Sequence, residues 1–496
     1  MKFNKYIFTF TFLATFAGQA LAGPFAAAIG SWLVNAVISM AISAVISSVF
    51  GGKKSSARGG QDAQGMMVNK QGSNDPIPVI YGRMRVGGTR AYIETSDGAG
   101  NVSGTKFLNI VLSMCEGRMG TIEQVYFNDI VIWKHTSVGG SGTLTNVQPG
   151  AWQLGNYETT DNKYSSANIT IVYHEGTAGQ PKDNMIQASV GSGVWTDNHK
   201  LSGVAYLAVK MEAKASVFQG GVPLITAVMS GKYIPDVSTI NTGDTSFTTA
   251  DGADANPVDV LYDYMTNPMY GKGLDHVSGA YVAGTDIDLT SFKAARDYAK
   301  NRYKINGSLD TTDKLYENIQ ELLDSFNGLL VYTSGKYKLQ IRQPAEVSKM
   351  LFTTENIIGN IQIAGGVKRY RLNKITTQWR NPATDYNDDT LIVEDTAYLA
   401  QDSDTVLEIS TDNRLITSES ILQTISQWKL DNSRYQMTIN FVAPHTALTL
   451  ECGDIITITH EAAGWTAKPF RLMMMNITPD NTVEISAQEY ISDIQV

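Results

Sequence analysis

Phe107-Leu-Asn-Ile-Val-Leu-Ser-Met114, Ile122-Glu-Gln-Val-Tyr-Phe127 and Ile130-Val-Ile-Trp133 follow one another closely and decide the fold class. Each has strand length and is rich in branched and aromatic residues, and Gly, Asn and Asp punctuate the gaps. Ile77-Pro-Val-Ile-Tyr81 precedes them, and Gly203–Lys210 and Pro223–Tyr233 restore the pattern further on. Strands this short and closely spaced favour barrels or sandwiches over parallel α/β sheets. Between these runs, residues 139–197 are rich in Gly, Thr, Asn and Tyr and read as an insertion of loops and short strands. The expected fold class is β-rich α+β, in several domains.

Helical periodicity concentrates between Pro257 and Phe326. Val258, Leu261, Tyr262 and Met265 fall on one helical face, and Asn256-Pro257 supplies an N-cap with proline at the first helical position. Phe292–Lys300 and Lys314–Asn327 repeat the pattern, with Gly328 placed just past a helix end. Leu329–Thr333 and Tyr337–Arg342 flank Ser334-Gly335 as a hairpin. Beyond Pro344 strands return around one helix at about Glu419–Asp431, and no repeat of fixed period is visible. The expected organisation is a hydrophobic arm over 1–50, a linker over 51–75, a β-rich domain over 76–255, an α+β domain over 256–345 and a second β-rich domain over 346–496.

The chain has 496 residues, enough for a large core and about three domains. Hydrophobic residues make up 43% and charged residues 18%, which excludes disorder throughout. Lys and Arg number 39 against 48 Asp and Glu, and the net charge of −9, without a basic stripe, argues against a duplex nucleic-acid binder. Cys115 and Cys452 stand far apart, so neither a disulfide framework nor a four-cysteine zinc site can be built, and both read as small buried hydrophobes.

Met1–Ala22 has the form of a secretory leader: Lys2 and Lys5, an apolar stretch from Ile7 to Ala17, and Ala20-Leu21-Ala22 as a cleavage pattern. Phe25–Phe50 follows without a charge and is long enough to cross a hydrocarbon layer of roughly 30 Å. Its candidates for membrane insertion are Trp32, Leu33, Val34, Val37, Ile38, Ile42, Val45 and Ile46. Two readings stay open: a cleaved leader followed by a buried or anchoring helix, and an uncleaved hydrophobic plug whose small residues favour self-association.

No constellation for catalysis is present in the sequence. The six histidines are scattered, and His460-Glu461 is followed by Gly464 where a second zinc ligand would stand. His174-Glu175 sits on an expected strand, whose neighbours point to opposite faces, and each histidine reads as a surface or partly buried residue. There is no nucleophile elbow and no phosphate-binding loop. Asp388-Asp389 and the acidic loop from Asp236 to Asp254 read as solvated. No catalytic residue, cofactor or metal is expected.

Several blocks, taken in order, resemble the central tail hub, or tip attachment protein J, family of long-tailed bacteriophages. The first is Ile77-Pro-Val-Ile-Tyr-Gly-Arg-Met-Arg-Val-Gly-Gly88, followed by Leu112-Ser-Met-Cys-Glu-Gly117 and Val125-Tyr-Phe-Asn-Asp129. Phe218-Gln-Gly-Gly-Val-Pro-Leu-Ile-Thr-Ala-Val-Met-Ser-Gly-Lys232 is similar to the family's F-x-G-G-x-P strand pair. Asn256–Gly273, with Asn256-Pro257 and Asn267-Pro-Met-Tyr-Gly271, then Tyr303–Gly307, Leu450–Ile458 and Gly464–Arg471 complete the series. The residues that carry the motifs are Tyr81, Gly82, Gly88, Gly220, Gly221, Pro223, Asn256, Pro257, Asn267, Pro268, Tyr270, Gly271, Gly453, Asp454 and Pro469.

The resemblance implies a multidomain hub of β-barrel-like domains with smaller α+β domains, forming a homotrimer that closes the distal end of the tail tube in the virion. It implies a structural role without catalytic residues, contacts to distal tail and tube proteins, and a part in tail assembly and DNA delivery. Because the sequence stops at Val496, soon after Gln488-Glu-Tyr-Ile491, where larger members continue, receptor binding is expected of a separate fibre or tip protein. The N-terminal arm would meet the host membrane on infection. Two other readings compete: an exported envelope or adhesion protein, suggested by the leader, and a tail-associated cell-wall hydrolase.

Overall fold

A computed structural model describes residue 69 and residues 77–490, apart from 103, 159–163, 166, 215–221, 251, 253–254, 345 and 367. The leader, the apolar arm with its membrane-insertion candidates, and the linker lie outside the described residues, as do Gly220 and Gly221.

The strand-rich, multidomain expectation holds. A six-stranded antiparallel sheet runs 89–96, 107–116, 204–212, 169–174, 151–155, 143–148, and a four-stranded one runs 84–86, 225–229, 122–127, 130–134. The two face each other as a sandwich: Ile110, Leu112 and Leu207 of the first share a core with Val125, Phe127 and Ala227 of the second. Phe107–Glu116 is buried without a break from Asn109 to Cys115 because both its faces are covered. Val111 points the other way, into a core roofed by helix α1 (Asn184–Val190) and Trp195. Residues 139–197, expected as an insertion, supply three strands of this sheet and that helix.

The middle of the chain packs helices α2 (Pro257–Thr266), α3 (Leu289–Ala299) and α4 (Leu315–Asp324) with the hairpin 328–333/336–341 into one core. Asn256 caps α2 as expected, accepting from the Val258 N–H at 3.0 Å, with Pro257 at the first turn. Every residue of α2 is buried, including Asp259 and Asp263, so this helix has no solvent face. Ser334 (φ 52°) and Gly335 (φ 79°) form the two-residue turn whose left-handed geometry matches the twist of a hairpin. Gly328 is not the residue that ends α4: Asn327 takes the left-handed conformation (φ 54°), and Gly328 begins the next strand, where a Cβ would lie 2.6 Å from the Phe326 ring.

Past the hairpin, a three-stranded sheet (387–394, 374–381, 408–412) packs with α6 (Glu419–Asn432), to which α5 (Thr396–Gln401) is tied by the Tyr398 hydroxyl donating to Asp431 at 3.0 Å. The sequence showed one helix here; the second, α5, has six residues and no buried side chain, so it left no apolar stripe to read. The last sheet runs 348–352, 455–460, 465–477, 482–489, 438–444, 358–364. Phe352 on its first strand meets Phe441 on its fifth, with ring centroids 4.9 Å apart, so the sheet is rolled around a single core.

Candidate functional site

The ordered sequence blocks converge on buried joints between these modules. Ile77–Tyr81 opens the first block, and its strand, 79–81, pairs with 307–309, which begins at the last residue of the Tyr303–Gly307 block. A strand alternates its side chains between faces. Val79 and Tyr81 therefore enter the helical core while Ile80 enters the sandwich core.

At the end of that strand the Tyr81 hydroxyl donates to Asp263 Oδ2 at 2.7 Å, and the Tyr270 hydroxyl donates to the same oxygen at 2.6 Å. Lys232, the last residue of the Phe218–Lys232 block, completes the cluster with Nζ 3.1 Å from Asp263 Oδ2. Its ammonium also lies 4.2 Å from the Tyr270 ring centroid. The lysine and aspartate side chains are only 6% and 8% exposed, so each charge depends on the other for its solvation. Burial, and then the Asp263 charge, push the Tyr81 phenol well above its ordinary range, which keeps it a donor. Gly117, from the Leu112–Gly117 block, makes room: a Cβ there would stand 2.5 Å from Lys232 Cε.

Gly82 and Gly271 set the same joint from the backbone. Gly82 has φ 67°, and a Cβ on it would lie 2.0 Å from the Ile305 carbonyl oxygen. A Cβ on Gly271 would lie 1.9 Å from the Tyr264 carbonyl oxygen. Asn267 follows α2, and its side chain accepts from the Met269 N–H at 2.9 Å, turning the chain after exposed Pro268 so that Tyr270 points back to Asp263. Asn306 spans three segments, accepting from the Arg83 N–H at 2.8 Å and donating to Thr417 Oγ1 at 3.0 Å.

A second joint covers the outer face of the four-stranded sheet. Arg85, 1% exposed, stacks on the Tyr126 ring with its guanidinium carbon 3.9 Å from the centroid. It donates to Thr226 Oγ1 at 2.8 Å and to the Asp385 carbonyl at 3.3 Å, and pairs with Asp129. Tyr386 seats on Tyr126 and Val228, closing the contact between residues far apart in the chain.

The C-terminal blocks build a third joint, between the hairpin and the rolled sheet. Arg471 donates to the Gly453 carbonyl at 2.9 Å and pairs with Glu346 at 2.5 Å. Gly453 (φ 94°) leaves space for Gln340, and Asp454 binds Lys349 at 2.7 Å. Pro469 lies in the long strand 465–477 opposite Thr457, its carbonyl accepting from the Tyr490 N–H at 3.1 Å. Burial lowers the Arg342 guanidinium to about 10, with Arg471 next in effect, beside Trp428 at 4.9 Å. Of the remaining motif residues, Gly88 (φ 67°) approaches the Ser113 carbonyl, where a Cβ would lie at 2.8 Å, and Pro223 is buried.

The arrangement is one of fixed, satisfied contacts. Lys232, Asp263, Asn306 and Arg85 lie in the quoted blocks, but nothing in the sequence marks them, because a buried polar or charged group is recognisable only through a partner distant in the chain. His174 is fully buried rather than at the surface: its Nε2 lies 2.8 Å from Asp183 Oδ2 and its ring stacks on Tyr206 at 4.1 Å. Among the described residues no group of three or more His, Cys, Asp or Glu is placed to hold a metal.

Residues 314–474 match the family described as "Putative phage tail protein". The chain is 23% identical over 474 residues to "Baseplate hub protein pb3" of Escherichia phage T5, covering 84% of this chain. It spans about half, 48%, of the length of that relative. A chain from the solved "Virion of native gene transfer agent (GTA) particle" superposes with a TM-score of 0.59 at 13% identity, covering 96% of this chain and 98% of that one. The resemblance read from the ordered blocks is borne out: the family match and the relative support a structural phage tail component. Within that class the curated relative it matches is a baseplate hub protein.

Proposed function

We propose that the chain forms the hub of a phage tail tip, three copies closing the distal end of the tail tube and linking it to a separate receptor-binding protein. The observation that carries this reading is the nearly complete mutual coverage, 96% and 98%, with a virion chain of the same fold. The joints support it, because a plug that holds back DNA needs modules fixed in relation to one another, and paired buried charges with tyrosine donors fix them. The motif residues act as shape-setting elements and take no part in catalysis. The sequence bounds 76–255, 256–345 and 346–496 mark the modules, and the arm over 1–50 enters the host membrane during DNA delivery.

Electron microscopy of tails labelled on this chain should show three copies at the tip, and label distributed along the tube would overturn the proposal. A clear zone on a peptidoglycan zymogram with the purified protein would overturn the non-enzymatic part. For the arm, Trp32→Asp with Val37→Asp should abolish liposome leakage, since a charge at the bilayer centre costs roughly 2.5 to 3.5 kcal/mol.

A further inference from the structure

Asn69 is the one described residue ahead of Ile77, and its side chain stands in for a piece of backbone. In the four-stranded sheet Ala227 lies opposite Val86 and Met229 opposite Met84, a register that would set Ile225 opposite Gly88. Gly88 instead carries the chain across to the six-stranded sheet: it has φ 67°, and the next residue, Thr89, lies opposite Ser113. Successive residues of a strand turn their N–H and C=O toward opposite neighbours. Leu224 is bonded to Asn128 on the 122–127 side, its carbonyl accepting from the Asn128 N–H at 2.9 Å and its N–H donating to Asn128 Oδ1 at 2.8 Å. Ile225 therefore looks to the side that the chain has left. There the Asn69 carboxamide answers both of its groups: Oδ1 accepts from the Ile225 N–H at 3.0 Å, and Nδ2 donates to the Ile225 carbonyl at 2.8 Å and also to the Gly87 carbonyl. A carboxamide carries the donor and the acceptor of a peptide group, and Ile225 and Asn69 are only 1% and 9% exposed, so the side chain satisfies groups that solvent hardly reaches.

We propose that this seat is the tether of the N-terminal arm, with Asn69 as its positioning residue, so that the arm is rooted where the chain crosses between the sheets of the sandwich. Residues 51–68 separate the apolar run ending at Phe50 from that root and, at about 3.3 to 3.6 Å per residue, reach at most about 60 to 65 Å. A bilayer that takes up the run then has to lie within that distance of the sandwich. Without the seat the root moves to Ile77, and the limit relaxes to about 85 to 95 Å. The tether rests on the contacts of Asn69, and its use rests on the membrane reading of the arm given above.

The test uses the full chain with Asn69→Ala and with Asn69→Asp, whose carboxylate keeps the shape but sets an oxygen against the Gly87 and Ile225 carbonyls. Followed by hydrogen exchange and mass spectrometry, the Ile225 amide should exchange about tenfold faster in both variants, the factor that losing one ordinary hydrogen bond gives. Trypsin should cut after Lys70, beside the seat, faster by a similar factor, and after Arg58 at the wild-type rate. Exchange over 122–127 and the thermal melt should stay as they are, because 225–229 keeps its pairing with 84–86 and 122–127. An Ile225 amide and a Lys70 site that behave alike in the wild type and both variants would overturn the tether. A rise in exchange throughout the sandwich would also overturn it, by making Asn69 a support of the body. Liposome leakage separates the two readings: a wild type that leaves liposomes intact, while Ile225 and Lys70 respond as expected, removes the membrane role and keeps the tether.

Discussion

Ile80 and Tyr81 are neighbours in one three-residue strand, yet their side chains lie in different hydrophobic cores. The strand is thus common property of the sandwich and the helical module. Loosening either core would release the same strand from the other, so the two modules are expected to melt together.

Lys232→Met should destabilise the protein by about 3 to 5 kcal/mol, because it leaves the Asp263 carboxylate buried without its cation. The double variant Lys232→Met, Asp263→Leu should recover most of that loss, since an apolar pair needs no solvation. Urea denaturation of the three proteins checks both statements; a single variant as stable as the wild type would contradict them.

Gly82→Ala places a methyl group 2.0 Å from the Ile305 carbonyl in a backbone conformation with φ 67°. The left-handed conformation alone costs roughly 1 to 2 kcal/mol, and the collision adds to it. A lowered melting temperature is expected, together with loss of tail assembly in a complementation assay. Gly464→Ala, with a similar φ of 67° but open space around its Cβ, should lose only the backbone share.

Asp402 links α5 to the segment after α6. The Arg434 guanidinium hydrogen-bonded to it, at 2.8 Å, holds its carboxyl below the usual carboxylate range against the opposing effect of burial. A carboxyl depressed by folding stabilises the native state above its unfolded value of about 3.9 and loses that contribution as the pH falls through its native value. Asp402→Asn should therefore be less stable than the wild type at pH 7, and the gap should narrow below about pH 4. Parallel stability curves across that range would refute the assignment.

Burial pushes the Cys115 thiol up to about 12, and the side chain is fully covered. At pH 8 it should resist alkylation in the native protein, whereas both cysteines should react in urea. Mass spectrometry of the iodoacetamide-treated chain checks this directly.

Local chemistry was legible in the sequence. Asn256-Pro257 gave the start of α2 and Ser334-Gly335 gave the hairpin, because a cap or a turn is decided by residues adjacent in the chain. Gly328 misled because Asn327 can also adopt the left-handed conformation. Residues 139–197 read as an insertion of loops and short strands; 143–148 lies at one side of the sheet, where it keeps a largely exposed surface and has no need of an apolar run. The joints could not be read at all: Tyr81 and Asp263 are 182 residues apart, and nothing in either neighbourhood specifies the other. The blocks marked where such residues lie without saying what they touch.

The contact between Arg85 and Asp385 bridges 300 residues. A fragment ending before the strand 374–381 would bare Tyr126 and Val228 and strip the buried guanidinium of its carbonyl acceptor, turning an internal seam into a sticky surface. The polypeptide therefore cannot be dissected into two well-behaved halves at its helical middle, and a protease that nicks the waist should leave the pieces clasped until denaturant is added.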